Sequence, residues 1–182
     1  LLEVASFEAR SFVDLFQGTL SAPLEDFIPR DGAFPVKGHC LDSQLHSVPD
    51  CQKIIKKAAV ERLKKKYGVS WFEETGDRYQ IQFSIMKDRV SLCLDTTGPG
   101  LHKRGYRPGR LPAPLRETLA AAMVDLARYR GKGDFADPFC GSGTIAIEAA
   151  LAAKNRAPGL YREFSAEKWR YGGPKVWKNE RD

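Results

Sequence analysis

Asp137-Pro-Phe-Cys-Gly-Ser-Gly-Thr-Ile-Ala-Ile-Glu148 is the stretch whose residue types and spacing could do chemistry. A short apolar segment ends in an acid, two glycines follow, and an alanine-rich run begins at once. Gly141 and Gly143 permit positive φ and close approach of a ligand to the main chain. The amides that open the next helix, near Ser142 or Thr144, attract polar ligand atoms. That combination suits a nucleotide-like cofactor. A phosphate-binding loop of the ATPase kind would need Gly-Lys-Ser/Thr after the glycines, and no lysine follows them. Gly141-Ser-Gly143-Thr-Ile-Ala146 fits the relaxed G-x-G-x-x-A dinucleotide fingerprint, and a plain tight strand-to-helix turn is a third reading.

Other reactive side chains are sparse. The four cysteines, at 40, 51, 93 and 140, form no C-x-x-C pair, and the histidines at 39, 46 and 102 have no zinc-site spacing. Reduced thiols and no metal are expected. Only His39 and Cys40 adjoin, and adjacent residues of an extended segment point to opposite faces.

Charge is more informative. The formal net charge is +6 and the pI is near 9.2. Residues 51–66 carry seven Lys or Arg (53, 56, 57, 62, 64, 65 and 66) against Glu61, and residues 101–116 carry five (103, 104, 107, 110 and 116) with no acid. Such clustering favours a nucleic-acid partner. At 182 residues, 42% hydrophobic and 29% charged, the chain has an ordinary globular composition, neither disordered nor fibrous. No apolar run approaches the roughly 18 residues of a membrane span, and Leu1 to Ala5 lack the basic start of a signal peptide. A soluble, cytoplasmic protein is expected, and the missing initiator methionine and polar last residues suggest a piece of a longer one.

The elements that must carry these residues follow from local pattern. Ser11 with Asp14, and Ser47 with Asp50, mark two helix starts of the capping-box kind. Phe12, Leu15, Phe16 and Leu20 recur at helical spacing in the first; Cys51, Ile54, Ile55, Ala58, Ala59 and Leu63 share a face of the second. Lys53, Lys56, Lys57 and Lys64 fall opposite, within a sector of roughly 100°. Residues 78–95 alternate as a hairpin turning at Lys87-Asp88, and extended stretches are expected at 1–5 and 34–38. Thr97-Gly-Pro-Gly100 breaks the pattern before an irregular basic segment. Pro112-Ala-Pro114 launches a helix with an apolar stripe of Leu115, Leu119, Ala122, Met123 and Leu126, expected beside a strand at 134–137. Residues 160–170 look helical.

In sequence order, three segments share a likeness. Asp137 to Thr144, extended by Glu148 and Ala149-Ala150, closely resembles the first S-adenosylmethionine-binding motif of Rossmann-like RNA methyltransferases that carry a THUMP domain. Gly100-Leu-His-Lys-Arg-Gly-Tyr-Arg107 with Ala113 to Ala120 resembles the segment joining THUMP to the catalytic domain. Ser43 to Gln52 with the following Ile-Ile-Lys-Lys helix is similar to the THUMP core. The likeness is greatest to bacterial enzymes that methylate guanine N2 in large-subunit ribosomal RNA.

The resemblance implies an α/β fold: a THUMP-like RNA-binding domain at 1–98, lacking its beginning, a basic linker at 99–113, and the opening of a Rossmann-like methyltransferase domain at 114–182. It implies that Asp137, Pro138, Phe139, Cys140, Gly141, Ser142, Gly143 and Thr144 wrap the methionine end of S-adenosylmethionine, with Asp137 accepting from its ammonium group and Cys140 as packing. Pro114, Leu115 and Thr118 resemble positions beside the same pocket. Lys53, Lys56, Lys57, Lys64, Lys103, Arg104 and Arg107 are the implied phosphate contacts of an RNA partner, ribosomal or transfer RNA. The family's Asn-Pro-Pro-Tyr motif is absent from the 182 residues, so no catalytic residue is assigned and the chain alone is expected to be inactive. An RNA-binding module with an incomplete methyltransferase part is the alternative. A fragment holding one strand of a parallel sheet would expose apolar surface over 114–182, and that segment is expected to be poorly ordered, packed on THUMP or paired with other polypeptide.

Overall fold

A computed structural model describes residues 1–106, 115–170, 173–179 and 181. The chain divides into two compact units, Leu1–Gly98 with Ser165–Trp177, and Pro99–Phe164 with Lys178–Asp182.

The first unit is a four-stranded sheet with two helices. Its strands are β1 (Leu2–Glu8), β2 (Val36–Leu41), β3 (Ile81–Met86) and β4 (Arg89–Leu94), ordered β1-β4-β3-β2. β4 runs antiparallel to β1 and β3, whereas β2 lies parallel to β3. A parallel neighbour requires a long crossover, and α2 (Val48–Tyr67) supplies it. The hairpin turns through Lys87 and Asp88 at φ 49° and 62°, the left-handed pair that matches strand twist. Ile81, Phe83, Ile85, Val90, Leu92 and Leu94 are buried in one core, as their alternation predicts. Gly38 is required where β2 meets β3, because a Cβ there would collide with the Phe83 carbonyl.

α1 (Phe12–Ser21) begins with the predicted capping box: Ser11 Oγ accepts from the Asp14 amide at 3.2 Å, and Asp14 accepts from the Ser11 amide at 3.0 Å. The second box departs from expectation. Ser47 Oγ donates to Asp50 Oδ2 at 2.5 Å instead of accepting from the helix backbone, leaving the acid and Pro49 in the first turn to favour the N-terminus. α2 ends at Gly68, φ 63°. Arg62 fastens it to the turn after α1, donating to Glu25 Oε2 at 2.8 Å, to Glu25 Oε1 at 2.5 Å and to the Leu20 carbonyl at 3.2 Å. Late in the chain Trp169 returns to this unit, stacking on Tyr79 with centroids 4.9 Å apart and donating its indole N–H to the Arg78 carbonyl.

The second unit pairs α3 (Glu117–Leu126) with α4 (Thr144–Ala153), burying Ala120 and Val124 from one and Thr144, Glu148 and Ala149 from the other. Three expectations fail from α3 onward. The predicted stripe on α3 faces outward: Leu119, Met123 and Leu126 are 52%, 44% and 83% exposed. Small Ala120 allows the close α3–α4 approach instead. Residues 134–137 form no strand, since no described chain of this unit lies alongside to complete a ladder. The helix expected over 160–170 is only a 3-10 turn at Ser165–Lys168, with Glu163 in irregular chain. Arg162 is nearly buried and donates to the carbonyls of Pro99, Gly100 and Lys103, which orders the start of the basic linker.

Candidate functional site

Residues 137–144 form an open turn that leads into α4. Gly141 and Gly143 take φ of 51° and 71°, and a Cβ on Gly143 would meet no protein atom within 4 Å, so the turn is hollow on its outer side. The Gly143 amide closes the turn on the Cys140 carbonyl at 2.7 Å, and its own carbonyl accepts from Ile147 at 2.9 Å to start the helix. No side chain caps α4. A helix start without a side-chain cap favours a polar ligand atom.

Asp137 is the most telling member. Its Oδ1 accepts from the Phe139 amide at 3.2 Å, whereas Oδ2 is buried without any hydrogen-bond partner. A buried carboxylate oxygen left unpaired costs free energy that a cationic donor would recover. An ammonium group matches that need. Ser142 and Thr144 join hydroxyls at 3.1 Å, and Thr144 is buried beneath the turn. Pro138, Cys140 and Phe139 lie at the surface, Phe139 being 94% exposed. Leu115 is half-buried and Thr118 exposed at the start of α3, while Pro114 lies outside the described residues. No group of three or more metal-ligating side chains occurs among the described residues, and no helix among them is long and apolar enough to cross a membrane.

Glu148, one turn further along α4, is 4% exposed. Arg104 Nε and Nη2 each reach it at 3.3 Å, and the Tyr106 hydroxyl donates at 3.0 Å. Arg104, expected as a phosphate contact, is thus itself buried and committed to the acid; a carboxylate in that alanine-rich interior needs a partner cation. A single carboxylate in an otherwise apolar helix run is the signal that could have revealed it.

The cations of α2 also sort themselves. Lys53 and Lys57 are exposed and Lys64 is half-buried, with Lys53 3.6 Å from Asp50 and Lys64 3.6 Å from Glu61. Lys56, at the edge of the predicted sector, turns inward to donate to Glu74 Oε1 at 2.5 Å and to the Phe34 carbonyl at 3.0 Å, over the Phe34 ring. Burial lowers its pKa and the Glu74 carboxylate opposes that shift. It is not a surface cation. Lys65 and Lys66 are exposed in the last turn, off the sector shared by Lys53, Lys57 and Lys64. Lys103 is exposed, and Arg107 lies outside the described residues. Cys40 and Cys51 are free thiols with sulfurs 3.9 Å apart, and desolvation first, then the neighbouring Cys40, pushes the Cys51 thiol up to about 12.

Comparison with known proteins matches both units. A THUMP domain model covers residues 9–95, and a model described as RMKL-like, methyltransferase domain, covers residues 104–181. "Putative RNA methyltransferase YpsC" of Bacillus subtilis is 50% identical over 99% of this chain and 47% of its own length. A ribosomal RNA large subunit methyltransferase K/L of Psychromonas ingrahamii is 35% identical over 98% of this chain and 24% of its length. A Listeria monocytogenes crystal structure, titled as a predicted N6-adenine-specific DNA methylase, superposes with TM-score 0.93 at 48% identity, covering 98% of this chain and 47% of that one. SMU.472, described as a putative methyltransferase complexed with SAH, gives 0.90 at 39% identity, covering 98% and 48%. The chain therefore spans about half the length of its Bacillus relative and about a quarter of the K/L enzyme. It belongs to the families those two models describe, with a THUMP domain at residues 9–95 and an RMKL-like methyltransferase domain at residues 104–181.

Proposed function

We propose that the protein acts as an S-adenosylmethionine-dependent RNA methyltransferase, in which the THUMP unit binds RNA and residues 137–144 hold the methionine end of the cofactor. The observation that carries this reading is the buried, unpartnered Oδ2 of Asp137 beside a hollow glycine turn. The SAH complex of SMU.472 and the names of the Bacillus and Psychromonas relatives support it.

When bound, the cofactor supplies a methyl group on a sulfonium centre. This chain's share is positioning: the Asp137 carboxylate accepts from the ammonium group, the turn admits the amino-acid part against main chain, and Thr144 fixes the helix start beneath. Lys53, Lys57, Lys64, Lys65, Lys66 and Lys103 meet phosphates. Leu115 and Thr118 stand beside the cofactor pocket. The domain division runs from THUMP through 1–98 to the linker and the methyltransferase opening from 114.

The acceptor is guanine N2 in large-subunit ribosomal RNA, an exocyclic amine that must leave its stack to react. Labelled methyl transfer from S-adenosylmethionine to total RNA by the full-length protein tests this. Label in large-subunit RNA as N2-methylguanosine is the expected result. Label in N6-methyladenine, or in DNA alone, would overturn the acceptor and favour the activity named for the Listeria protein.

A further inference from the structure

Trp71 is 78% exposed in a segment that is otherwise tied down. Residues 69–77, between α2 and β3, form no helix or strand, yet alternate side chains are anchored. Phe72 is buried edge-on against Phe34, centroids 5.6 Å apart. Glu74 accepts from the Phe34 amide at 2.9 Å and from Lys56 Nζ at 2.5 Å. The Gly76 amide donates to the Asp31 carbonyl at 2.8 Å, and a Cβ on Gly76 would lie 2.8 Å from that same oxygen. Glu74 takes a left-handed φ of 52°, and around these inward anchors Trp71, Glu73 and Thr75 are exposed. The indole is thus held out by a fixed backbone.

Its surroundings are polar and cationic. Gly68 ends α2, and three residues of chain reach at most about 11 Å, so Trp71 stands near the helix end that carries exposed Lys65 and Lys66. Ser70, Glu73 and Thr75 are also exposed. An apolar protein partner would call for an apolar surround, which this strip lacks. A flat aromatic face near cations suits a base and its phosphates.

We propose that Trp71 is a stacking platform for an unpaired nucleobase of single-stranded RNA, with Lys65 and Lys66 meeting the adjoining phosphates. The inference rests on the reading of the protein as an RNA binder. It is tested on the full chain by titrating a labelled mixed-sequence single-stranded RNA and a fully paired duplex of equal length, across a range of salt. Four proteins are compared: wild type, Trp71→Ala, Trp71→Phe, and a Lys65→Gln/Lys66→Gln double variant. Trp71→Ala weakens single-strand binding about fivefold to a hundredfold, leaves duplex binding and the salt slope unchanged, and keeps the unfolding midpoint. Trp71→Phe retains most of the affinity. The double lysine variant lowers the single-strand salt slope by about 1.4. Wild-type affinity in Trp71→Ala, alongside a weakened lysine variant, would overturn the platform while leaving RNA binding intact. Equal losses on single strand and duplex would overturn it too. No RNA affinity in the wild-type chain would remove both readings, and retention of a protein partner lost only in Trp71→Ala would replace the base with that partner.

Discussion

Asp137 and Glu148 are two carboxylates with opposite fates, one before the glycine turn and one a turn into α4. Glu148 is satisfied by Arg104 and Tyr106, whereas Asp137 keeps one buried oxygen without a donor. An unsatisfied group persists where something else completes it. Replacing Asp137 by Ala should therefore cost cofactor affinity about tenfold to a hundredfold without lowering the thermal midpoint; calorimetric titration with S-adenosylhomocysteine and a melting scan check both halves. Glu148→Ala should act in the opposite sense, stranding a buried guanidinium and lowering stability by about 3 kcal/mol. Urea unfolding measures it, and the double change Arg104→Met/Glu148→Leu should recover most of the loss. The turn was legible in the sequence because its glycines, acid and helix start are contiguous. The Arg104–Glu148 pair spans 44 residues, so the lone acid in an apolar helix run marks Glu148 but not its partner.

α2 shows what periodicity can and cannot decide. Its buried face of Cys51, Ile55, Ala58, Ala59 and Leu63 was legible from spacing alone. Lys56 was misplaced because its partner Glu74 arrives 18 residues later in a loop without pattern. On α3 the apolar stripe faces outward because which face is buried depends on the packing neighbour, here the alanine-rich α4, and not on the helix itself. Arg62 on Glu25 is a polar fastening of α2. The Arg62 hydrogen bonds hold the Glu25 carboxyl below its ordinary value, against some opposing desolvation. A depressed folded-state pKa means stability that is full above the unfolded carboxylate value, about 4.3, and is lost as pH falls through the folded one. Urea midpoints taken from pH 7 to 3 should fall below about pH 4.3 in wild type, and that acid limb should be shallower in Glu25→Gln, which starts from a lower plateau. The α1 capping box offers a simpler check: Ser11→Ala should cost about 1 kcal/mol by the same assay.

Across the molecule, the sheet unit was foreseeable because caps, alternation and a two-residue turn each act over a few residues. The methyltransferase unit was foreseeable only in its turn and helices, since the strand at 134–137 needs a ladder partner that the described residues do not provide. Leu119, Met123, Leu126 and Phe139 remain exposed there, as expected for apolar surface over 114–182. The net charge of +6, concentrated on α2 and the linker, makes RNA affinity a matter of salt: raising it should weaken binding log-linearly, with a slope that falls as exposed lysines are removed.

The central claim is that residues 137–144 hold the cofactor, and calorimetric titration of the full-length protein with S-adenosylhomocysteine tests it most directly. Wild type should bind one equivalent, and Gly141→Val should bind none, because valine is strained at φ 51° and fills the space beside the turn. Equal affinity in wild type and in folded Gly141→Val would contradict the account.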